Sequence, residues 1–356
     1  MLSKSEKRQK YFNTSSYEEA RDIYNNNIYM PKLPLSSWTK LQLPYLAPNH
    51  PELPSFEDIQ QALKKNQFPW SPVCQIGDLF VKLSHDGWVV QEAETLLYLR
   101  ANSSLRLPTV HAVLTAEDEN GRPIHYMVMS RVPGNTLSPE KWLTLPSTTR
   151  TQILASIREQ IRLMRALPAP GYYGLVHKQG WRPLHEVLRE QHANMCGPYE
   201  TYAEFSSAVY ATAEIETLVV GDAPDFFPTE VGALEELQDL LQNEQRGREP
   251  KFTHVDLALK NVVVRPIGGD EHDAKDWEAT IIDWADAGWW PAWMQVVATK
   301  SRMNMSTLAA GSRIVPNEEA REEILHGLFQ GSGEDGYEDY LKVNDSVNYN
   351  LAHSIG

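Results

Sequence analysis

The stretch KFTHVDLALKNVVVRP, residues 251–266, carries most of what can be read about this fold. His254, Asp256 and Asn261 stand just ahead of Val262, Val263 and Val264. Consecutive β-branched residues predict a strand, and a strand with no polar face is buried. Polar side chains at the mouth of such a strand lose water, so they need partners or a task. A second apolar run, ATIIDWAD at 279–286, follows a polar hairpin loop (GGDEHDAKDWE, 268–278) and places Asp283 at its end.

That set matches the needs of phosphoryl transfer. There the protein must position a hydroxyl, hold Mg2+ and offset phosphate charge. On this reading Asp256 accepts the hydroxyl proton. Asn261 offers an amide oxygen to Mg2+, and Asp283 adds a carboxylate, the hard ligand that ion prefers. The plain alternative is a loop with a turn-forming aspartate and a satisfied histidine.

Upstream, Lys82 lies inside the apolar strand DLFVKLS (78–84), where its ammonium must be paired or wet. Glu92 opens the helix QEAETLLYL (91–99) ten residues later. A strand lysine paired with a helix glutamate is how kinases grip the α- and β-phosphates. Glu94 is the competing partner, but two positions on it faces elsewhere on the helix.

The remaining pattern frames these motifs. Residues 1–50, rich in Asn, Ser, Tyr and Pro, predict a partly ordered N-terminal arm. Ser55 is placed to cap a helix over FEDIQQALKK, with Phe56, Ile59 and Leu63 on one face. SPVCQIGDLFVKL (71–83) predicts two strands turning at Gly77-Asp78, and residues 89–101 a helix closed by Leu107-Pro108. VHAVL (110–114) and HYMVMSRV (125–132) predict two more strands, broken by Pro133-Gly134. Helices are expected at 149–167, 200–219 and 230–245, and from the tryptophan run to about residue 342. The first of these has Ile153, Ile157, Ile161 and Met164 on one stripe. The expected division is 1–50 arm, 51–132 nucleotide-binding lobe, and 133–356 catalytic and substrate-binding lobe.

Composition sets outer bounds. The chain has 356 residues, 42% of them hydrophobic, enough for a sizeable core. A formal charge of −14 argues against nucleic acid and anionic membranes as partners. Two cysteines, Cys74 and Cys196, make no metal or disulfide framework. The start, MLSKSEKRQKYFNTSS, has no apolar signal core, so a soluble cytoplasmic protein is expected.

FTHVDLALKNVVV followed by IIDWADAGWWPAW resembles the aminoglycoside phosphotransferase-like family (choline kinase-like relatives included), in particular its fungal members. VKLSHDGWVVQEAETLLYLRANSSLRLPTVHAVL, MVMSRVPGNTLSPEKWLTL and GPYETYAEF are similar to its upstream pieces, so the likeness spans roughly residues 70–300. The resemblance implies an α+β, two-lobed protein-kinase-like fold, ATP or GTP with Mg2+, and a small-molecule hydroxyl acceptor. It implies Asp256 as base, Asn261 and Asp283 as metal ligands, Lys82 on the phosphates and Glu92 orienting Lys82. His254 would brace the loop, and Ser130 to Val132 would be the hinge whose backbone meets the base. This sequence departs from the family pattern at Ala258 and Ala285; the lone Gly77, with no glycine-rich phosphate loop, is common in the family.

Other readings are weaker. A protein kinase lacks support, because GxGxxG, Asp-Phe-Gly and Ala-Pro-Glu are missing. A metal hydrolase built on His254, Asp256 and Asp283 lacks a second histidine at ligand spacing. A catalytically weak nucleotide-binding module is the main rival, favoured by Ala258. Trp289, Trp290 and Trp293 suit either the core or an aromatic wall for a cationic, amine-bearing or planar acceptor.

Overall fold

The computed structural model describes residues 2–27, 39–65, 72–85, 87–181, 197–219, 230–243, 245–270, 274–303, 305–309 and 313–334. The first half holds α1 (Lys4–Phe12), α2 (Tyr17–Asn27), β1 (Tyr45–Leu46), α3 (Phe56–Lys64), β2 (Val73–Ile76), β3 (Leu79–Ser84) and α4 (Trp88–Asn102). Next come β4 (Val110–Glu117), β5 (Pro123–Ser130), β6 (Asn135–Thr136), α5 (Pro139–Thr144), α6 (Ser147–Arg165), α7 (Tyr202–Val219) and α8 (Glu230–Asn243). The remainder is β7 (Pro250–Thr253), β8 (Val262–Ile267), β9 (Asp276–Ile281), β10 (Gly288–Pro291), α9 (Met294–Arg302), β11 (Thr307–Ala309), β12 (Arg313–Val315) and α10 (Glu318–Phe329). The class is α+β, with every strand pairing antiparallel.

Strands β1-β4-β5-β3-β2 form one sheet in that order. Side chains alternate across it, as strand geometry requires. Val81, Leu83, Tyr126 and Val128 turn to one face and pack with Ile59 of α3. Met127 and Met129 turn to the other, toward Val89, Ala93 and Leu96 of α4. Lys82, between Val81 and Leu83, therefore lies on the α4 face. Ser55 caps α3 through a reciprocal pair with Asp58. Gly77 takes the left-handed turn between β2 and β3 at φ +58°. Helix α4 stops at Asn102, earlier than Leu107-Pro108, because Ser103 goes extended and its hydroxyl donates to the Leu99 carbonyl at 2.6 Å.

Beyond β5, strands β6-β8-β9 form a three-stranded sheet and β10 pairs with β7. Helix α6 buries Ile153, Ile157, Ile161 and Met164, the expected stripe. Chain past Pro291, expected as helix to about residue 342 with a Gly/Asp-rich break at 331–336, contains the β11–β12 hairpin before α10. The pairing of Gly288–Pro291 with Pro250–Thr253 brings together segments far apart in sequence, so no local pattern announces it. Trp289, Trp290 and Trp293 are core: all are buried, Phe252 meets the Trp289 ring edge-on, and Trp181 lies against Trp290.

Residues 4–27 of the expected arm are two helices docked on α7. Phe12, Ala20 and Tyr24 pack with Leu218 and Val219. Arg8 donates to the Leu218 carbonyl at 2.9 Å, and Lys7 pairs with Glu214 at 2.7 Å. The thiol of Cys74 is buried and free, which pushes its pKa up to about 11; Cys196 and residues 335–342 lie outside the described residues. Among the described residues, no helix is long and apolar enough to cross a membrane.

Candidate active site

The site forms where the ends of β7, β8 and β9 meet the α4 face of the large sheet. Lys82 Nζ reaches both Glu92 oxygens, at 2.8 and 2.9 Å, and Asp283 Oδ1 at 2.7 Å. Glu92 also accepts the Trp284 N–H at 3.2 Å. Burial alone would lower the Lys82 ammonium, but the two facing carboxylates carry it above its ordinary value. Burial raises Glu92. Asp283 is also penalised by burial, yet Lys82 holds it below the ordinary carboxylate value. The expected partner is therefore the observed one, and Glu94 points elsewhere, onto Thr39 and Gln179.

Asp283 sits just past β9 at φ +68°, a left-handed conformation that aspartate tolerates better than most residues. The preceding Ile282 N–H donates to the Asn261 carbonyl at 2.9 Å, which ties the end of β9 to the loop before β8. His254 makes the second tie, with its Nε2 3.0 Å from the Ile282 carbonyl. A carbonyl only accepts, so Nε2 carries the proton. Burial lowers the imidazole pKa and keeps it neutral. Gln295 of α9 fixes the His254 backbone from both sides, accepting its N–H at 2.9 Å and donating to its carbonyl at 3.1 Å.

Asp256 opens the loop. Asn261 Nδ2 donates to its carbonyl at 2.8 Å and to its Oδ2 at 2.7 Å. Arg302, in the last turn of α9, stands 3.3 Å from Oδ1, and Lys260 Nζ lies 3.9 Å from Oδ2. Burial raises the Asp256 carboxyl against the pull of these two cations. Residues 259–261 make a single 3-10 turn, and Ala258, 6% exposed, brings no polar group to it. Arg302 and Gln295 escaped the sequence reading. The one local signal for Arg302, a basic residue in a last helical turn, also describes an ordinary helix end.

Ser130 and Val132 make none of these contacts. The Ser130 hydroxyl accepts the Thr109 N–H at 2.8 Å, and Arg131 N–H donates to Asp78 at 2.8 Å. The Ser130 side chain and the Ser130 and Arg131 N–H groups are thus committed, the first of these N–H groups to the Thr109 carbonyl and the second to the Asp78 carbonyl. Gly134 follows at φ +124°, where a Cβ would lie 2.4 Å from the Val264 carbonyl; only glycine lets the linker lie on β8.

Among the described residues, no three His, Cys, Asp or Glu side chains form a ready-made metal centre. The donor set nevertheless fits a hard cation that keeps water and phosphate oxygens as its other ligands. Asn261 spends its amide nitrogen on Asp256, which leaves the amide oxygen, and the Asp283 side chain is 37% exposed. Two surface hollows, of about 560 Å³ against α4 and about 450 Å³ against α7 and α8, lie outside this cluster.

A family model described as phosphotransferase enzyme family matches residues 70–338. No curated protein matches the sequence at a significant level. Among solved structures, the chain is similar to a thermostable mutant of aminoglycoside phosphotransferase APH(4)-Ia in apo form. That match has 15% identity and a TM-score of 0.48, over 80% of this chain and 87% of the other. It is also similar to the GDP complex of aminoglycoside 2'-phosphotransferase-IIIa, at 12% identity and TM-score 0.46, over 79% and 80%. A third is amicoumacin kinase in complex with AMP-PNP, Ca2+ and Ami, at 13% identity and TM-score 0.43, over 78% and 76%.

Proposed function

The chain belongs to the phosphotransferase enzyme family. On that premise we propose that it moves the γ-phosphate of ATP or GTP to a hydroxyl of a small molecule in the cytoplasm. One observation carries the reading. Lys82, held by Glu92 and Asp283, is joined to Asp256 and Asn261 through the Ile282–Asn261 bond. Phosphate-holding and proton-accepting groups thereby meet at one point.

In this mechanism the sheet carrying Lys82 forms the nucleotide-binding lobe of a two-lobed, kinase-like enzyme. The backbone of Ser130 to Val132 meets the base, and Lys82 neutralises the phosphates with Glu92 holding its ammonium in place. Asn261 and Asp283 would hold Mg2+, which would offset charge on the transferring phosphoryl group. Asp256 takes the proton of the acceptor hydroxyl, which requires its ionised form. Arg302 and Lys260 favour that form, while Asn261 fixes Oδ2 and leaves Oδ1 on the Arg302 side. His254 is a positioning residue, since its Nε2 and its backbone hold β7 to the end of β9 and to α9. With the tryptophans in the core, no aromatic wall supports a choice of acceptor. The acidic balance of the chain is compatible with an amine-bearing one and does not select it.

The test uses thermal stabilisation by ATP or GTP with Mg2+. Stabilisation should be Mg2+-dependent in the native chain and largely lost in Asp283→Ala; an equal shift in both removes Asp283 from the metal. Asp256→Ala should abolish transfer to the acceptor and keep nucleotide binding. Absence of transfer in the native chain, with nucleotide binding intact, would favour the binding-module reading.

A further inference from the structure

Helix α4 carries two buried glutamates, and only Glu92 belongs to the site above. Glu94 is held just as closely. Its Oε2 accepts from the Thr39 hydroxyl and from Gln179 Nε2, both at 2.9 Å. The Lys40 N–H lies 3.2 Å from both carboxylate oxygens. Two of these groups, on Thr39 and Lys40, precede the part of the chain that the family model matches.

The third comes from a turn in an uncommon conformation. His177 and Lys178 are both left-handed, at φ +60° and +59°. Each such residue costs roughly 1–2 kcal/mol and persists only where its surroundings hold it. Here Tyr172 accepts the Lys178 N–H at 2.8 Å and donates to the Leu175 carbonyl at 2.9 Å. Gln179 Nε2 donates to the Val176 carbonyl at 2.9 Å, Lys40 Nζ donates to the His177 carbonyl at 2.8 Å, and Tyr98 of α4 meets the His177 ring edge-on. The hollow of about 560 Å³ opens between Lys40, Leu41, Glu94 and His177. On this side the hydrogen bonds to Glu94 lie beside an open hollow.

Two positions along an α-helix are about 200° apart around its axis. Any rotation of α4 that releases Glu94 therefore also displaces Glu92 from Lys82. We propose that Glu94 and Gln179, with Thr39 and the Lys40 N–H, are positioning residues that fix the rotation of α4 and so keep Glu92 on Lys82. This rests on the reading of Lys82 as the phosphate-holding residue.

The experiment is a double-mutant cycle on the full chain, read as the Kd for Mg·ATP, with Mg·GTP in parallel. Gln179→Ala should weaken nucleotide binding by about tenfold in the native background and by less than about twofold in the Glu92→Gln background. A purely structural role would give the same loss in both backgrounds and overturn the proposal. Thr39→Val provides an independent second arm with the same expectation, should Gln179→Ala fold poorly. No loss in either single variant also overturns it. If Glu92→Gln itself leaves affinity unchanged, the reading of Lys82 falls first, and this proposal falls with it.

Discussion

Replacing Lys82 with Met tests the polar cluster at its centre. Methionine keeps an apolar stem of similar length and removes the ammonium. In the native chain that ammonium lies 2.8 Å from Glu92 and 2.7 Å from Asp283, whose side chains are 1% and 37% exposed. Asp283 can fall back on water, so its lost pair counts for little. Glu92 cannot, and keeps only the Trp284 N–H at 3.2 Å. Removing one partner of a buried ion pair costs about 3–5 kcal/mol, and Lys82→Met should lose that much at neutral pH in urea unfolding without nucleotide. The pH dependence follows from Glu92. Burial already raises its carboxyl with Lys82 present, and without Lys82 it rises further. A carboxyl that binds its proton more tightly when folded favours folding below its unfolded pKa and loses that advantage as pH rises through the folded value. The Lys82→Met deficit should therefore shrink as pH is lowered from about 8 to about 5. Adding Glu92→Gln should recover part of it at pH 7. A deficit under about 1 kcal/mol, or one flat across this range, would refute the claim that Lys82 neutralises a buried charge.

Three further outcomes are expected. Arg302→Gln removes a cation facing Asp256, so the Asp256 carboxyl should rise further and the acid limb of phosphate transfer should move to higher pH. Arg302→Lys should move it less, and an unmoved kcat–pH profile would separate Arg302 from the base. Arg165 is buried, pairs with Glu334 at 2.6 Å and donates to Thr253 and to the Phe252 and Ala292 carbonyls. Arg165→Met should cost about 3–5 kcal/mol in chemical denaturation, since it strands Glu334 and loosens the β7–β10 pair together. Gly288→Ala would put a Cβ 2.7 Å from the Gly174 carbonyl oxygen, in backbone that cannot swing away. It should cost about 1–3 kcal/mol in the same assay.

Much of the fold was legible because it follows from local periodicity. The Ile153, Ile157, Ile161 and Met164 stripe foretold the buried face of α6, and the apolar run DLFVKLS placed Lys82 inside a strand. The capping box at Ser55 and the turn at Gly77 are short-range chemistry that any window of sequence exposes. The same holds for the loop that carries His254, Asp256 and Asn261, which ends in one 3-10 turn over Leu259–Asn261. Other features had no such window. Residues 4–27 are polar enough to read as an arm, yet docking on Leu218 and Val219 gives their few apolar groups a surface to cover. The tryptophan run suited core better than an aromatic wall, and Trp181, Phe205 and Phe252, packed on Trp289 and Trp290, decide for core.

What the sequence by itself determined is the inventory: a strand lysine, a helix glutamate, a loop with an aspartate and an asparagine, and a second aspartate beyond the next strand. Residue types and short spacings suffice for that, because backbone geometry repeats every few residues. Tertiary structure alone decided the company each charge keeps. It turned Lys82 onto Glu92 and Asp283, brought Arg302 from α9 to Asp256, and gave Glu94 to Thr39 and Gln179. Those choices depend on distances of a few ångströms between segments up to hundreds of residues apart. Coulomb and hydrogen-bond energies change steeply over such distances, while periodicity along the chain carries no record of them.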